Sequence, residues 1–292
     1  MVCFSEKQGL SWVDMDIIPN IRKIVSLDMP ELQPYRTLRR HMAHIKNGIF
    51  VAEGEKVVRR LLASNLTIVS LLLTPLWLDQ LFPHKSGSGV VMPSHSELQI
   101  FLAEKSMLES IVGYNLHQGI MAVATIPAEK TLLELAAAAP APHFLVAMDG
   151  LVNAENVGVV VRNCAGFGVD GIIVGKTSGS PYLRRAVRNS MGTVFAMSVV
   201  HSSNLIKSFD LLRTNYGTKI IAAHPDERSS IHTADFTGNI CIVLGNEGNG
   251  VSEHVLGACD FRIAIPMMNG ADSLNVASAS AVFMYEARKQ RK

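Results

Sequence analysis

Residues 144–163 read Phe144-Leu-Val-Ala-Met148-Asp-Gly-Leu-Val-Asn153-Ala-Glu-Asn156-Val-Gly158-Val-Val-Val-Arg162-Asn163. The unbroken apolar run Phe144–Met148 predicts a buried strand, because a half-exposed strand would alternate. A polar turn follows. A helix is then expected over Asn156–Phe167, with Asn156 and Arg162 as polar anchors around the apolar run Val157–Val161. Strand, polar loop and helix form the repeating unit of a parallel sheet. The pattern recurs downstream: strand Ile172–Val174, helix Pro181–Met191 with its proline where a missing N–H costs nothing, and helix Ser203–Tyr216. Strands Lys219–Ala223 and Ile240–Leu244, a short helix near Ser252, strand Phe261–Ile265 and a long helix Leu274–Lys289 complete the chain. The expected fold class is α/β, a parallel sheet covered on both faces.

Upstream, Ala136-Ala-Ala-Ala-Pro140-Ala-Pro142 cannot continue a helix and suits a short extended linker. Before it, Gly48–Val51, Ile68–Leu73 and Gly119–Ala124 read as strands, and Glu55–Ser64 as a helix with Val57, Val58, Leu61 and Leu62 on its apolar face. Pro83–Gly89 reads as a loop, and Ile21 to about His44 as a helical stretch. The organisation expected is an N-terminal extension (1–20), a small α/β domain (21–135), a linker (136–142) and a larger domain (143–292).

The 292 residues are 48% hydrophobic and 18% charged, which excludes a disordered tail, a collagen-like fibre and a disulfide-stapled miniprotein. With 27 Lys+Arg against 25 Asp+Glu, the chain is far less basic than a purely electrostatic nucleic-acid binder. Cys3, Cys164, Cys241 and Cys259 form no C-x-x-C pair and read as packed thiols in a reducing compartment. Met1–Trp12 lacks the long apolar core of a secretory signal, and no apolar stretch approaches the roughly 20 residues of a membrane helix. A cytoplasmic protein with no membrane partner is expected.

Three local motifs fail on context. Gly166-Phe-Gly168-Val-Asp-Gly171 matches a dinucleotide fingerprint, but its glycines end a helix and precede a strand, as a C-terminal cap does. In Gly171-Ile-Ile-Val-Gly175-Lys176-Thr177 the first glycine is one residue too close for a phosphate-cradling loop. His41 and His44 lack further ligands at metal-binding spacing, so no metal is expected.

Two segments join the opening one as unusual. Leu244-Gly245-Asn-Glu247-Gly248-Asn-Gly250-Val-Ser252 runs a strand into three glycines around a carboxylate, ending in a serine suited to cap a helix. Ile265-Pro-Met267-Met-Asn-Gly270-Ala-Asp-Ser273-Leu274-Asn275-Val276 leads another strand through a Pro/Gly loop into the last helix. All three polar loops follow strand ends, where open parallel sheets bind ligands, so they are expected to converge.

In this order, and with Arg188-Asn-Ser190-Met-Gly192 between the first two, the segments resemble the motifs of the SpoU (TrmH-like) family, RNA 2′-O-ribose methyltransferases of the SPOUT class. The resemblance implies a deep trefoil knot in the last third of the chain, which general topology rules would not suggest. It also implies an obligate homodimer and S-adenosyl-L-methionine as cofactor. Gly245, Ile265 and Leu274 match positions that contact the methyl donor, and Met267 shares their segment. Arg162 matches the catalytic arginine, with Asn156, Glu247, Ser273 and Asn275 as its active-site neighbours. Two departures stand out: Asn153-Ala154 replaces the Asp-Pro that often precedes the first motif's Asn, and Asn269 stands where a glycine usually follows Met267 by two. The stretch Phe50-Val-Ala-Glu-Gly54 and the helix after it resemble the ribosomal-protein-like RNA-binding domain of members acting on ribosomal RNA.

Methyl transfer to a ribose hydroxyl requires alignment of the hydroxyl with the donor and removal of its proton. A guanidinium keeps its own proton at neutral pH. Arg162 therefore either clamps a phosphate and stabilises the developing alkoxide, or accepts the proton as the family's proposed mechanism has it. Candidate RNA contacts are Arg36, Arg39, Arg40 and Lys46, with Arg59 and Arg60, and in the second half Arg184, Arg185 and Arg188. Ribosomal RNA is the expected substrate. The alternatives are a transfer-RNA ribose methyltransferase, or a catalytically silent RNA-binding or assembly protein on the same fold.

Overall fold

The computed structural model describes residues 20–38, 40–82, 98–112, 119–225, 229–270 and 272–291. The chain forms two compact units, Met1–Ile126 and Pro127–Lys292.

The first unit is built on β1 (Ile21–Lys23), β2 (Ile49–Glu53), β3 (Ile68–Leu73), β4 (Gln99–Leu102) and β5 (Ile120–Thr125), in the order β1-β4-β3-β5-β2. β5 runs antiparallel to both neighbours, and β1, β4 and β3 are mutually parallel. The helices are α1 (Gln33–Arg36), α2 (His41–Lys46), α3 (Glu55–Leu62), α4 (Pro75–Leu81) and α5 (Lys105–Val112). The expected helical stretch from Ile21 to His44 is corrected. Ile21–Lys23 is a strand on β4, Pro30–Leu32 is a 3-10 turn, and only the two short helices follow. Pro30 and Pro34 interrupt any longer helix, each removing an amide donor. Tyr35 is fully buried, and its hydroxyl meets the carbonyl oxygen of Ser70 at 3.0 Å and the Ser70 hydroxyl at 2.8 Å. The loop read over Pro83–Gly89 lies outside the described residues.

The second unit carries β6 (Phe144–Met148), β7 (Gly171–Gly175), β8 (Val199–Ser202), β9 (Lys219–Ala223), β10 (Ile240–Leu244) and β11 (Phe261–Ile263). They form one parallel sheet in the order β11-β9-β10-β6-β7-β8. Its helices are α6 (Leu132–Ala138), α7 (Ala154–Phe167), α8 (Arg184–Asn189), α9 (Leu205–Tyr216), α10 (Glu253–Gly257) and α11 (Val276–Gln290). β6 and β10 are buried along their whole length, as the unbroken apolar runs required. From β6 the chain steps outward through β7 to β8, then returns to the other side for β9, and β10 fills the gap. That reversal puts a crevice at the C-terminal ends of β6 and β10.

Several expected boundaries shift. Leu135 and Ala136 of α6 pack into the core of this sheet, so the division falls at Ile126/Pro127, ahead of residues 136–142. α7 starts at Ala154 rather than Asn156 and is capped by Asn153, whose Oδ1 accepts from the amides of Glu155 and Asn156. α8 is shorter than Pro181–Met191, with Leu183 as its cap residue. Gly168 ends α7 at φ 72°, the C-terminal cap that its tract predicted. Cys164 and Cys241 are buried and Cys259 half-buried, all three free; burial raises their thiol pKa values, that of Cys259 to about 12. Among the described residues no helix is long and apolar enough to cross a membrane, and no cluster of His, Cys, Asp and Glu could hold a metal ion.

Candidate active site

The site grows from the paired ends of β6 and β10, where Met148 stands opposite Leu244. The amide of Asp149 donates to the Leu244 carbonyl at 2.9 Å, and Asp149 Oδ2 accepts from the amide of Ser252 at 2.8 Å. The loop after β10 is thereby tied to the end of β6 at both of its own ends. Within it, Asn246 and Gly250 exchange two backbone hydrogen bonds of 2.8 and 2.9 Å, folding the loop onto itself. Gly245 is required by that fold, since a Cβ there would sit 2.1 Å from the backbone of Gly250 and Val251. Asn246 anchors the tip, donating to the Gly150 carbonyl at 2.8 Å and accepting from the amides of Gly248 and Asn249.

This frame holds Glu247 over the start of α7. Glu247 Oε1 accepts from Asn156 Nδ2 at 3.0 Å and from the Asn153 amide at 3.3 Å. Asn156 Oδ1 in turn accepts from Asn275 Nδ2 at 3.4 Å, while Asn275 Oδ1 caps α11 through the Ala277 amide at 2.8 Å. Three loops, from β6, β10 and β11, therefore meet in one chain of amide and carboxylate groups. A carboxylate and two carboxamides that orient one another leave their outer lone pairs and N–H groups for a polar ligand.

Arg162 lies two turns further along α7, exposed, with no hydrogen-bond or ion-pair partner among the described residues. α7 can approach α8 closely because of Gly158, where a Cβ would meet the Ala186 carbonyl oxygen at 2.4 Å. After β11, residues 266–270 and 272–274 make no backbone hydrogen bond with one another or with the rest of the described residues. Met268 is 76% exposed and Leu274 40%, with Ile265 and Met267 half-buried and Ser273 exposed. Asn269 adopts φ 58° and Gly270 φ 72°.

Comparison with known proteins decides what these loops belong to. The SpoU rRNA methylase family model matches residues 143–285. The 23S rRNA (guanosine-2′-O-)-methyltransferase RlmB of Coxiella burnetii is 30% identical over 212 residues, covering 70% of this chain and 78% of that one. The chain belongs to the SpoU family of RNA methyltransferases. An uncharacterized tRNA/rRNA methyltransferase of Mycobacterium tuberculosis is 29% identical over 275 residues, 91% of each chain. Two solved SpoU-type structures share the α/β SPOUT fold. One is an AdoMet-bound rRNA methyltransferase of Sinorhizobium meliloti (TM-score 0.78, 22% identity, covering 92% of this chain and 98% of that one). The other is AviRb of Streptomyces viridochromogenes (TM-score 0.75, 22% identity, covering 89% and 96%).

Within this SpoU chain the structure brings Asn156, Glu247 and Asn275 together and sets Arg162 on the same helix as Asn156. Sequence reasoning missed Asp149 and Asn246, which brace the loops from behind. The signal for Asp149 was a carboxylate placed directly after an otherwise apolar strand. Of the expected RNA contacts, Arg36 pairs with Asp28 at 3.2 Å, and Arg59 pairs with Glu55 at 3.0 Å and lies over the Trp77 ring. Arg40, Lys46, Arg60, Arg185 and Arg188 are exposed and Arg184 is half-buried, while Arg39 lies outside the described residues.

Proposed function

We propose that this SpoU chain transfers a methyl group from S-adenosyl-L-methionine to a ribose 2′-hydroxyl, with ribosomal RNA as the substrate class. The observation that carries the reading is the hydrogen-bonded Asn156–Glu247–Asn275 chain, with Arg162 exposed on the same helix and unpartnered among the described residues. The likeness to RlmB, named for 2′-O methylation of 23S rRNA, supports both the position methylated and the substrate.

The residues present fit the cofactor. Residues 266–268 and 272–274 offer backbone donors and acceptors that no described residue engages, as recognition of a purine edge needs. The accessible side chains of Met268 and Leu274 offer apolar surface beside them, with Ile265, Met267 and the Gly245 loop completing the holding set. When bound, S-adenosylmethionine supplies an activated methyl group on a sulfonium. Glu247 orients Asn156, and Asn156 with Asn275 presents a fixed row of polar groups to align the ribose. Arg162 donates to the ribose oxygen and the neighbouring phosphate as negative charge develops, the clamp of its two possible roles, while the hydroxyl proton passes to solvent water. Ser273 lies in the same loop and completes the polar rim.

The remaining contacts belong to the same proposal. Arg36, Arg39, Arg40, Arg59 and Arg60 grip RNA from the first unit, and Arg184 and Arg188 from the second. A second copy of the chain covers α11, where Tyr285 is 61% exposed and packs edge-on against Phe167 of α7. The implied trefoil knot in the last third of the chain, and action in the cytoplasm, complete the reading.

The test is transfer of labelled methyl from S-adenosylmethionine to fractionated RNA, followed by nucleoside mass analysis. Label in a 2′-O-methylnucleoside of ribosomal RNA is expected. Label confined to transfer RNA would replace the substrate, and label on a base would overturn ribose methylation.

A further inference from the structure

We infer that Asn163 is a positioning residue of this site: it sets the register of α11 along α7 and so brings Asn275 against Asn156. The inference deepens the proposed ribose methylation and rests on it for its kinetic readout.

Asn163 Nδ2 donates to the Ala277 carbonyl and to Ser280 Oγ, both at 2.9 Å. Ser280 is fully buried, and its own hydroxyl donates to the same Ala277 carbonyl at 2.7 Å. Asn156 and Asn163 are seven residues apart, close to two helical turns, so they share the stripe of α7 that faces α11. The two helices are therefore bridged twice. The bridge at the site, Asn275 to Asn156, is exposed and 3.4 Å long, at the weak end of hydrogen-bond geometry. The bridge at Asn163 is shorter, two-pronged and half-buried.

The strong bridge thus fixes what the weak one needs. The Ala277 peptide is held on both sides, its amide by Asn275 Oδ1 and its carbonyl by Asn163. Sliding α11 by one residue, about 1.5 Å, would break both bonds from Asn163 and carry Asn275 out of reach of Asn156. The buried face of α11 consists of Ala277, Ser280, Phe283, Met284 and Ala287. Phe283 and Met284 anchor the later turns by packing, but Ala277 and Ser280 in the first turns are small and place little steric resistance there, so at the site end the polar bridge specifies the register.

The test compares the wild type, Asn163→Ala, Asn275→Ala and the double variant, by turnover and by amide exchange at Ala277 and Ala279. Asn163→Ala is expected to lower kcat roughly 10- to 100-fold, as small misplacements of catalytic groups do, with KM for RNA little changed. Exchange at Ala277 should quicken. The double variant should be no slower than Asn275→Ala alone, because both changes remove one function. Multiplying losses, unchanged kcat or unchanged exchange would each overturn the inference. If Asn163→Ala does not fold, Ser280→Ala carries the test: a smaller fall in kcat supports the latch and an unchanged kcat overturns it. Should the wild type transfer no methyl to ribose, the proposed function fails, and amide exchange still judges the latch.

Discussion

Glu247 Oε1 stands 3.0 Å from Asn156 Nδ2, although 91 residues separate them in the chain. The contact joins the crevice's two walls, the loop after β10 and the first turn of α7. Glu247→Ala removes the acceptor for Asn156 and for the Asn153 amide. Both bonds are exposed, so the stability loss should stay below about 1 kcal/mol. Turnover should fall roughly 10- to 100-fold. Thermal melts beside methyl-transfer rates check the split, and parallel losses in both would assign Glu247 a purely structural role.

Arg162→Lys keeps the positive charge and loses the planar fork. A lysine can still neutralise a phosphate, but it cannot engage phosphate and ribose oxygen together. RNA affinity should therefore persist within a few fold, while turnover drops roughly 100-fold. Filter binding and single-turnover rates separate the two. Full activity in the lysine variant would remove Arg162 from the mechanism.

Gly158→Ala sets two effects against each other. Alanine gains about 1 kcal/mol of helix propensity over glycine. Its Cβ would lie 2.4 Å from the Ala186 carbonyl and 2.7 Å from Asn189 Cβ, so α7 and α8 would have to part. Overpacking against backbone costs about 1–3 kcal/mol and has no flexible side chain to absorb it. Net destabilisation is expected in urea unfolding, together with reduced turnover, since α7 carries Asn156 and Arg162.

Much of the second unit was legible because its strands are unbroken apolar runs: Phe144–Met148 and Ile240–Leu244 are strands to the residue. The three polar loops were legible as a site because each follows a strand end, although the third strand, Phe261–Ile263, carries Arg262 and is not an unbroken apolar run. β1 was not, because its three residues become a strand only by pairing with β4 some eighty positions away. The start of α7 was placed two residues late for a local reason: Asn153 and Asn156 are equally good capping types, and the hydrogen bonds from Asn153 choose between them. Asn163 was invisible as a latch, since its partners on α11 lie 114 and 117 residues on.

Asn269 stands where the resemblance to the family's motif leads one to expect a glycine, and its φ of 58° fits that expectation. Asparagine tolerates the left-handed region better than other residues with a Cβ. The backbone therefore keeps a left-handed turn there, continued by Gly270 at φ 72°. Asn269→Gly should change stability by no more than about 0.5 kcal/mol, relief of strain being offset by a freer unfolded chain. Asn269→Val should cost about 1–2 kcal/mol and lower affinity for S-adenosylmethionine, which calorimetry would measure. Equal stability in all three would show that the loop does not need the left-handed turn.

His143 governs a pH dependence at the opposite end of the sheet. It is buried, with Nε2 2.8 Å from Thr218 Oγ1 and its ring edge-on to Tyr216. Burial lowers its pKa below the ordinary histidine value; Asp170 opposes that shift and Arg291 adds to it. Arg291 is held there by the carbonyls of Phe236, Gly238 and Pro142, so its charge stays close to the imidazole. The folded chain therefore resists protonation while the unfolded chain takes up a proton near pH 6.5. Stability should be full above about pH 6.5 and decline as pH falls from there toward the folded pKa. His143→Gln offers Thr218 a polar partner without a titrating group, so its urea midpoint should fall less between pH 7.5 and 5. Parallel profiles for the two proteins would place the acid sensitivity elsewhere.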